Sequence, residues 1–315
     1  MALFQQLIKR NPNFGLISAL FDPNTADKWY QLRNHNRILA FFCILLMTSP
    51  TLMAASFLNE TLMSEDLANK LPNEVVWLKI KDKPDILALF KKNEHSKAKG
   101  GVLILSEFDH TPNWQVIINP LRNTLPHYNW STLSVYMPAF PPNTSPAFLQ
   151  DLKQNSFARI DAGLAYLKSQ NLKPFVIIAI GRTAAMLTEY AAENASDQSI
   201  NSLVLISTND AKLFSSSTNI EKIPFNVLDI TAENDWPSIQ KAARKRLTHA
   251  SRASSLSSPP GKLPDTAKVK ALILNKTGNL RYRQEIINGA NHAYDGQTDE
   301  LIKSIRGWME IYRNN

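Results

Sequence analysis

A hydroxyl, a carboxylate and an imidazole follow one another along the chain at Thr183, Asp235 and His292. In this order the three groups could act as a nucleophile, an orienting acid and a general base, which is what acyl transfer requires. Thr183 Oγ would attack a carbonyl carbon, His292 would carry the proton, and Asp235 would orient His292. The chemistry that this set could support is ester, thioester or amide hydrolysis.

Thr183 lies where an apolar run leads directly into a helical segment. Residues 175–180 precede Gly181-Arg182-Thr183-Ala184-Ala185, which follows the outline of the strand-turn-helix segment G-x-S-x-G that presents a nucleophilic serine. Threonine takes the place of serine here, and its β-methyl group stiffens the side chain and crowds a tight turn. A purely structural role, in which small residues let the helix N-terminus pack closely on the strand, is the alternative.

The other two members of the set also occupy positions next to predicted elements. Asp235 comes just past the strand-like run 225–230, and His292 lies in a loop before the last helical segment. Chain order and local context together favour a triad, whereas a single late histidine would not. Asp235 could also serve as the N-cap of the helix that follows it.

An oxyanion site is expected between the loop after residues 102–105 and the amide of Ala184. The candidate pocket residues are Ser106, Glu107, Arg182 and Ala184. A carboxylate at Glu107 would oppose a developing oxyanion, which weighs against fast catalysis. The sequence contains no glycine-rich phosphate loop and no metal-ligand cluster, so it predicts no cofactor and no metal.

The elements that must position these residues alternate between strand-like and helical segments. Two strand-like segments joined by a short polar turn, 74–80 and 85–90, predict an antiparallel hairpin. Apolar runs predict buried strands at 102–105, 130–136, 175–180, 203–206 and 225–230, and a strand pair at 269–274 and 282–287. Helical spacing marks 114–125, 148–167, 184–193, 236–250 and 300–312. The pattern predicts an α/β fold with a mostly parallel sheet, helices on both faces, and the hairpin at its N-terminal edge.

The N-terminal part of the chain has the features of an export or anchor segment. Residues 33–37 give a positive flank, 38–47 form an unbroken apolar run, and 48–56 supply helix breakers and small residues. We therefore divide the chain into an extension at 1–37, a signal peptide or membrane anchor at 38–58, and a domain at 59–315. Cleavage and anchoring both stay open, as does whether 1–32 are a cytoplasmic tail or an over-extended gene start. The expected address is the cell envelope, facing the periplasm.

Charge and cysteine content say little about partners. The net charge of +8 comes from 35 basic and 27 acidic residues, an excess that an ordinary solvated surface explains, so nucleic acid is not a predicted partner. Lys241, Arg244, Lys245 and Arg246 spread around the helix at 236–250, which favours a solvated helix, and they mark the first surface to test for phospholipid headgroups. The lone Cys43 excludes an internal disulfide. The sequence does not indicate an oligomeric state.

Six stretches of residues 100–312 occur in a characteristic order: 114–125, 130–138, 181–185, the Ala-Arg helix before residue 250, 282–284 and 289–292. With these stretches the chain resembles a domain-of-unknown-function family of bacterial exported proteins within the α/β-hydrolase superfamily. The resemblance implies the hydrolase fold and an envelope address, without a defined substrate, in a family whose members often lack the standard serine. Two functions therefore stay open: a slow or specialised hydrolase using Thr183, Asp235 and His292, and an inactive module that binds a small-molecule or lipid-like ligand or acts as a scaffold. A membrane-tethered protein that binds partners through its surface is a third.

Overall fold

The structure, a computed structural model, describes residues 50–95, 97–140, 145–210, 214–254, 269–274 and 280–311. The chain divides into two units, Met1–Asn59 and Glu60–Asn315. Only the start of helix α1 (Pro50–Lys70) is described in the first unit, so the predicted extension at 1–37 and most of the segment at 38–58 lie outside the described residues. Within the described ranges, no helix combines the length and the apolar composition that crossing a membrane requires.

A nine-stranded sheet runs through the described part of Glu60–Asn315. Its strands are β1 (Val75–Leu78), β2 (Ile86–Lys91), β3 (Gly100–Leu105), β4 (Trp130–Val135), β5 (Phe175–Ile180), β6 (Ile200–Ile206), β7 (Asn226–Asn234), β8 (Val269–Leu274) and β9 (Leu280–Asn291). They lie in the order β1-β2-β4-β3-β5-β6-β7-β9-β8. The pairs β1–β2, β2–β4 and β8–β9 are antiparallel, and the strands from β4 to β9 in this order are parallel.

The predicted fold class is confirmed. The hairpin expected at 74–90 is β1 and β2, the apolar runs are β3 to β7, and the final pair is β8 and β9. Strands β3, β4 and β5 are buried along their whole length, which explains why they read as continuous apolar or small-residue runs instead of alternating patterns.

Helices cover both faces of this sheet. After α1 they are α2 (Ile118–Thr124), α3 (Pro146–Ser169), α4 (Gly181–Glu193), α5 (Ser216–Asn219), α6 (Pro237–Ser254) and α7 (Thr298–Ile311). Helix α3 begins with Ser145 as N-cap, whose hydroxyl accepts the Phe148 amide, and with a proline in the first turn. One apolar cluster includes residues of α3 and α4, and a second includes residues of α2 and α7. Each central strand therefore contributes side chains to two separate cores.

Three helix predictions need correction. Helix α1 was not expected, because residues 59–70 lack an obvious apolar stripe, and among the side chains described in 59–70 Leu67 is the one buried apolar residue. Helix α2 begins at Ile118 instead of residue 114, because Trp114 lies in a turn closed by its amide on the Thr111 carbonyl. The short helix α5 was missed, since four polar residues carry no periodicity.

Arg246 is not part of a solvated cationic surface, which corrects the prediction for the helix at 236–250. Its side chain is fully buried and forms a two-point ion pair with the equally buried Asp229, at 2.9 Å from Nε and 3.0 Å from the second nitrogen. Tyr282 OH donates to Asp229 Oδ2 at 2.5 Å, and Gln284 Nε2 donates to the same oxygen at 3.1 Å. This network joins α6 to β7 and β9, the strands that Asp235 and His292 directly follow.

Candidate active site

Five of the nine residues with positive φ in the described part of the chain lie at or just past the carboxyl ends of parallel strands. Asp109, Gly181, Ser207, Gly289 and Tyr294 have φ values of 70°, 59°, 45°, 72° and 58°. These residues follow or close β3, β5, β6 and β9, at the edge where open α/β sheets bind their ligands. Strained backbone concentrates at functional sites because the surrounding structure must hold it in place. The candidate site is therefore this edge.

Asp235 and His292, predicted to work together, are in contact. His292 Nδ1 lies 2.7 Å from Asp235 Oδ1, which leaves Nε2 as the nitrogen that could exchange a proton with a ligand. The indole of Trp236 stacks on the imidazole with centroids 4.0 Å apart and planes inclined by 20°. The His292 side chain is 34% exposed and Trp236 is 53% exposed, so the pair is open to solvent.

The Asp235 carboxylate is fixed by further donors. Ser207 Oγ donates to Oδ2 at 2.5 Å, and the amides of Trp236 and Ala232 donate to Oδ1 and Oδ2. Burial acts to raise the pKa of Asp235, but hydrogen bonds from His292 and Ser207 and the charge of His292 hold it below its ordinary value. The hydroxyls of Ser207 and Tyr294 lie 2.9 Å apart, which extends the chain of hydrogen bonds behind Asp235. Asp235 is therefore an anion held in one orientation.

The strained turn between β5 and α4 is centred on Gly181 and not on Thr183. Strand β5 ends at Ile180, which is still extended, and Gly181, the first residue of α4, is the residue of this turn that has positive φ. In a strand-turn-helix elbow, the residue in this strained conformation is the one that presents the nucleophile above the sheet. The elbow therefore lies two residues earlier than the sequence frame implied, and its residue has no side chain.

The carboxylate of Glu107 occupies the space next to Gly181 that a side chain would need. A Cβ added to Gly181 would overlap Glu107 Oε2 and lie 2.8 Å from its Cδ. Glu107 Oε2 accepts the Thr183 amide at 3.3 Å, and Oε1 accepts Arg182 Nε at 2.9 Å. The Thr183 amide at the start of α4, where an oxyanion would bind, is thus bonded to a carboxyl group that belongs to the protein.

Burial raises the pKa of the Glu107 carboxyl from 4.5 to about 7. This effect outweighs the hydrogen bond and charge of Arg182 and the hydrogen bonds of the Thr183 and Arg182 amides, all of which lower the pKa. Near neutral pH, Glu107 therefore exists in both protonation states.

Glu107 should make the stability of the protein depend on pH in a defined direction. The folded protein holds the Glu107 proton up to about pH 7, whereas the unfolded chain releases it near pH 4.5, so this contribution to stability is lost as pH rises through that window. The free energy of unfolding of the wild type, relative to Glu107→Gln, should fall by about 3 kcal/mol between pH 4.5 and pH 8. Urea unfolding at a series of pH values measures this difference. Asp109→Asn, the matched control, should leave the pH dependence in place, and a pH-independent difference would contradict the assignment.

Three other predicted site residues, Thr183, Ser106 and Ala184, are buried in contacts that hold the fold together. Thr183 is fully buried, its Oγ1 accepts the Phe108 amide at 3.1 Å, and no hydrogen bond joins it to His292 among the described residues. Its role as nucleophile stays a prediction. Ser106 Oγ accepts the Met137 amide at 3.0 Å and ties the ends of β3 and β4 together. Ala184 is buried within α4.

Arg182 lies at the entrance to the site. Its guanidinium group bonds to Glu107 and, at 3.2 Å, to the half-exposed Asp109, and it lies 4.3 Å from the centre of the Phe140 ring. The side chain is 29% exposed, so one part of the cation is available at the surface. Within the described ranges, no cluster of three or more His, Cys, Asp or Glu is arranged to hold a metal ion.

Sequence reasoning missed several residues of this site. Ser207 and Tyr294 carry no motif, and only their positions after β6 and β9 could have pointed to them. Trp236 adjoins Asp235 in the sequence, but its stacking on His292 depends on the fold. The sequence frame G-x-S-x-G places Gly181 at its first position, so it does not indicate that Gly181 is the elbow residue itself.

Comparisons with known proteins agree with the fold. Several solved structures share the fold: the esterase Est1E from Butyrivibrio proteoclasticus (TM-score 0.56, 11% identity, 77% of this chain and 100% of that one), a dienelactone hydrolase from Anabaena variabilis (0.56, 11%, 76% and 96%) and an esterase from Pyrococcus furiosus (0.54, 12%, 78% and 94%). At these identities the likeness establishes the α/β-hydrolase fold. No curated protein sequence matches the chain. The sequence profile of the family described as "Protein of unknown function (DUF3530)" matches residues 49–150 and 141–257, more than half of the chain, and the protein therefore belongs to that family.

Proposed function

We propose that this protein is a hydrolase-fold binding module that holds a small-molecule or lipid-like ligand without forming a covalent intermediate. The observation that carries the proposal is the elbow itself. Gly181 supplies no nucleophile, and Glu107 fills the space in which a nucleophile's side chain would stand. A hydrolase of this fold needs both a hydroxyl or thiol at that point and free amides to stabilise the oxyanion.

The position of Thr183 supports the same conclusion. Its hydroxyl lies in the first turn of α4, is fully buried, and already accepts a backbone hydrogen bond from Phe108. A nucleophile must approach the general base and a substrate carbonyl at the same time. A buried oxygen that helps to anchor the β3 loop would have to leave this contact before it could react.

The groups that remain open at the carboxyl edge suit ligand binding. The Arg182 guanidinium lies over the Phe140 ring, and the Trp236 indole stacks on the His292 imidazole. Aromatic faces favour a flat or apolar body, and the guanidinium favours an oxygen-bearing group. His292, held by Asp235, adds a hydrogen-bonding nitrogen of fixed orientation.

A hydrolase is the second candidate function, because the Asp235–His292 pair has the geometry of a working acid–base couple. Such a pair is retained in an enzyme, but it also serves a binding site that recognises a hydroxyl or carbonyl group.

We propose a cell-envelope location for the module. The positive flank at 33–37 and the apolar run at 38–47 support this location.

Labelling with a fluorophosphonate probe, followed by mass spectrometry, tests the proposal on the full chain. The wild type and Thr183→Ala should both stay unlabelled, because neither offers an activated hydroxyl. His292-dependent labelling of the wild type that disappears in Thr183→Ala would establish the hydrolase instead. A commercial serine esterase labelled in the same reaction is the positive control.

A further inference from the structure

Helix α6 carries an exposed cationic surface that the candidate site does not use. Lys241, Arg244 and Lys245 are all exposed. At about 100° of rotation per residue, the three side chains leave the helix within an arc of about 100°. Arg246 points to the opposite side, where it pairs with the buried Asp229. The burial of Arg246 therefore leaves a cationic face of three residues, Lys241, Arg244 and Lys245, on one side of the helix.

This cationic face is turned away from the sheet, and its direction is fixed. The buried side chains in the described part of α6 are Ile239, Ala242, Ala243, Arg246 and Ala250. The centre of this buried stripe and the centre of the cationic face lie about 180° apart around the helix. Rotation of α6 about its axis would break the two-point ion pair between Arg246 and Asp229. The three cations are therefore held towards solvent as a group.

Among the described residues, no acidic side chain neutralises the cationic face. Helix α6 contains no Asp or Glu. Within the described ranges its ion pairs are Arg246–Asp229 and His249–Glu221, and neither includes a residue of the cationic face. Cations three and four residues apart on a helix repel one another, which destabilises the helix. An anionic partner would relieve this repulsion, and it would be attracted by the combined field of all three cations.

We propose that the cationic face docks α6 on a membrane surface that contains anionic phospholipids. Lysine and arginine side chains near such a surface are attracted by its negative potential and donate hydrogen bonds to lipid phosphates. The choice of a membrane over another polyanion rests on the proposed envelope location. Helix α6 begins directly after Asp235 and Trp236, so docking holds the candidate site close to lipid. Fluorophosphonate labelling does not report on this face, so failure here and failure of the proposed function can be told apart.

An environment-sensitive dye on the cationic face of the full chain tests this inference. Thr248→Cys, in a Cys43→Ser background, provides the labelling position, which is exposed and lies within the same arc of α6. Vesicles of phosphatidylcholine with phosphatidylglycerol should shift the dye emission to the blue, whereas vesicles of phosphatidylcholine alone should not. Added salt should reverse the shift, because it screens interactions between exposed charges. Lys241→Gln, Arg244→Gln and Lys245→Gln together should abolish the shift.

Two controls separate docking of α6 from general adsorption. A dye at Lys303→Cys, an exposed position of α7 on the other face of the sheet, should not respond, so insertion of residues 38–58 alone cannot imitate docking of α6. Lys241→Arg with Lys245→Arg keeps all three charges and should keep the shift. Circular dichroism checks that every variant is folded.

Four results would overturn the assignment. They are absence of a shift on phosphatidylglycerol vesicles, an equal shift on phosphatidylcholine alone, an equal response of the dye at position 303, and a response to double-stranded DNA without one to the vesicles. The last result would identify a surface for nucleic acid instead of a membrane.

Discussion

A double variant, Gly181→Ser with Glu107→Ala, should react with a fluorophosphonate probe that leaves the wild type untouched. The first change puts a hydroxyl on the strained residue of the elbow, and the second empties the space and frees the amides at the start of α4. The Asp235–His292 pair is already assembled to accept the proton. Adding His292→Ala should slow the labelling by about 10²- to 10⁴-fold.

The single variants separate the two effects. Gly181→Ser alone should stay unlabelled, because its side chain overlaps Glu107, and Glu107→Ala alone should stay unlabelled for lack of a hydroxyl. A serine at φ near 59° costs about 1–2 kcal/mol, so the fold of each variant is checked by circular dichroism. A folded double variant that does not react would show that His292 does not activate a hydroxyl at position 181.

Arg246→Met should lower the free energy of unfolding by about 3–5 kcal/mol, because it leaves the buried Asp229 carboxylate without its cation. Tyr282 and Gln284 donate hydrogen bonds to Asp229 but supply no charge, so they cannot replace the arginine. Urea denaturation, followed by fluorescence, measures the loss.

The control is Arg244→Met, which removes an exposed arginine from the same helix. Its effect should stay within about 0.5 kcal/mol. Equal effects of the two substitutions would contradict a structural role for the Asp229–Arg246 pair. A large loss at Arg246 alone would show that one arginine of the cationic helix holds α6 against the sheet.

Most of the fold could be predicted because its signals are local. Continuous apolar runs such as 175–180 mark buried parallel strands, and a polar turn between two strand-like runs marks the hairpin. The burial of Arg246 could not be predicted, because its partner Asp229 lies on a strand 17 residues away and the pairing depends on how α6 packs. Charge patterns on a helix do not show which cation meets a buried anion.

The candidate site was predictable in part for the same reason. Asp235 and His292 follow strands in the expected order, and the structure brings them together. The elbow was assigned two residues too late because the G-x-S-x-G frame was aligned on a hydroxyl residue, whereas backbone φ, which the sequence does not display, identifies Gly181. The placement of Glu107 against Gly181 joins residues more than 70 positions apart and required the packed structure.

Turnover of an activated ester by the purified full chain, compared with His292→Ala and Thr183→Ala, tests the central claim most directly. If the elbow residue Gly181 offers no nucleophile and Glu107 fills the space of its side chain, all three proteins should hydrolyse the ester at the same background rate. A wild-type rate well above that of both variants would contradict the account and identify a working Thr183–His292 hydrolase.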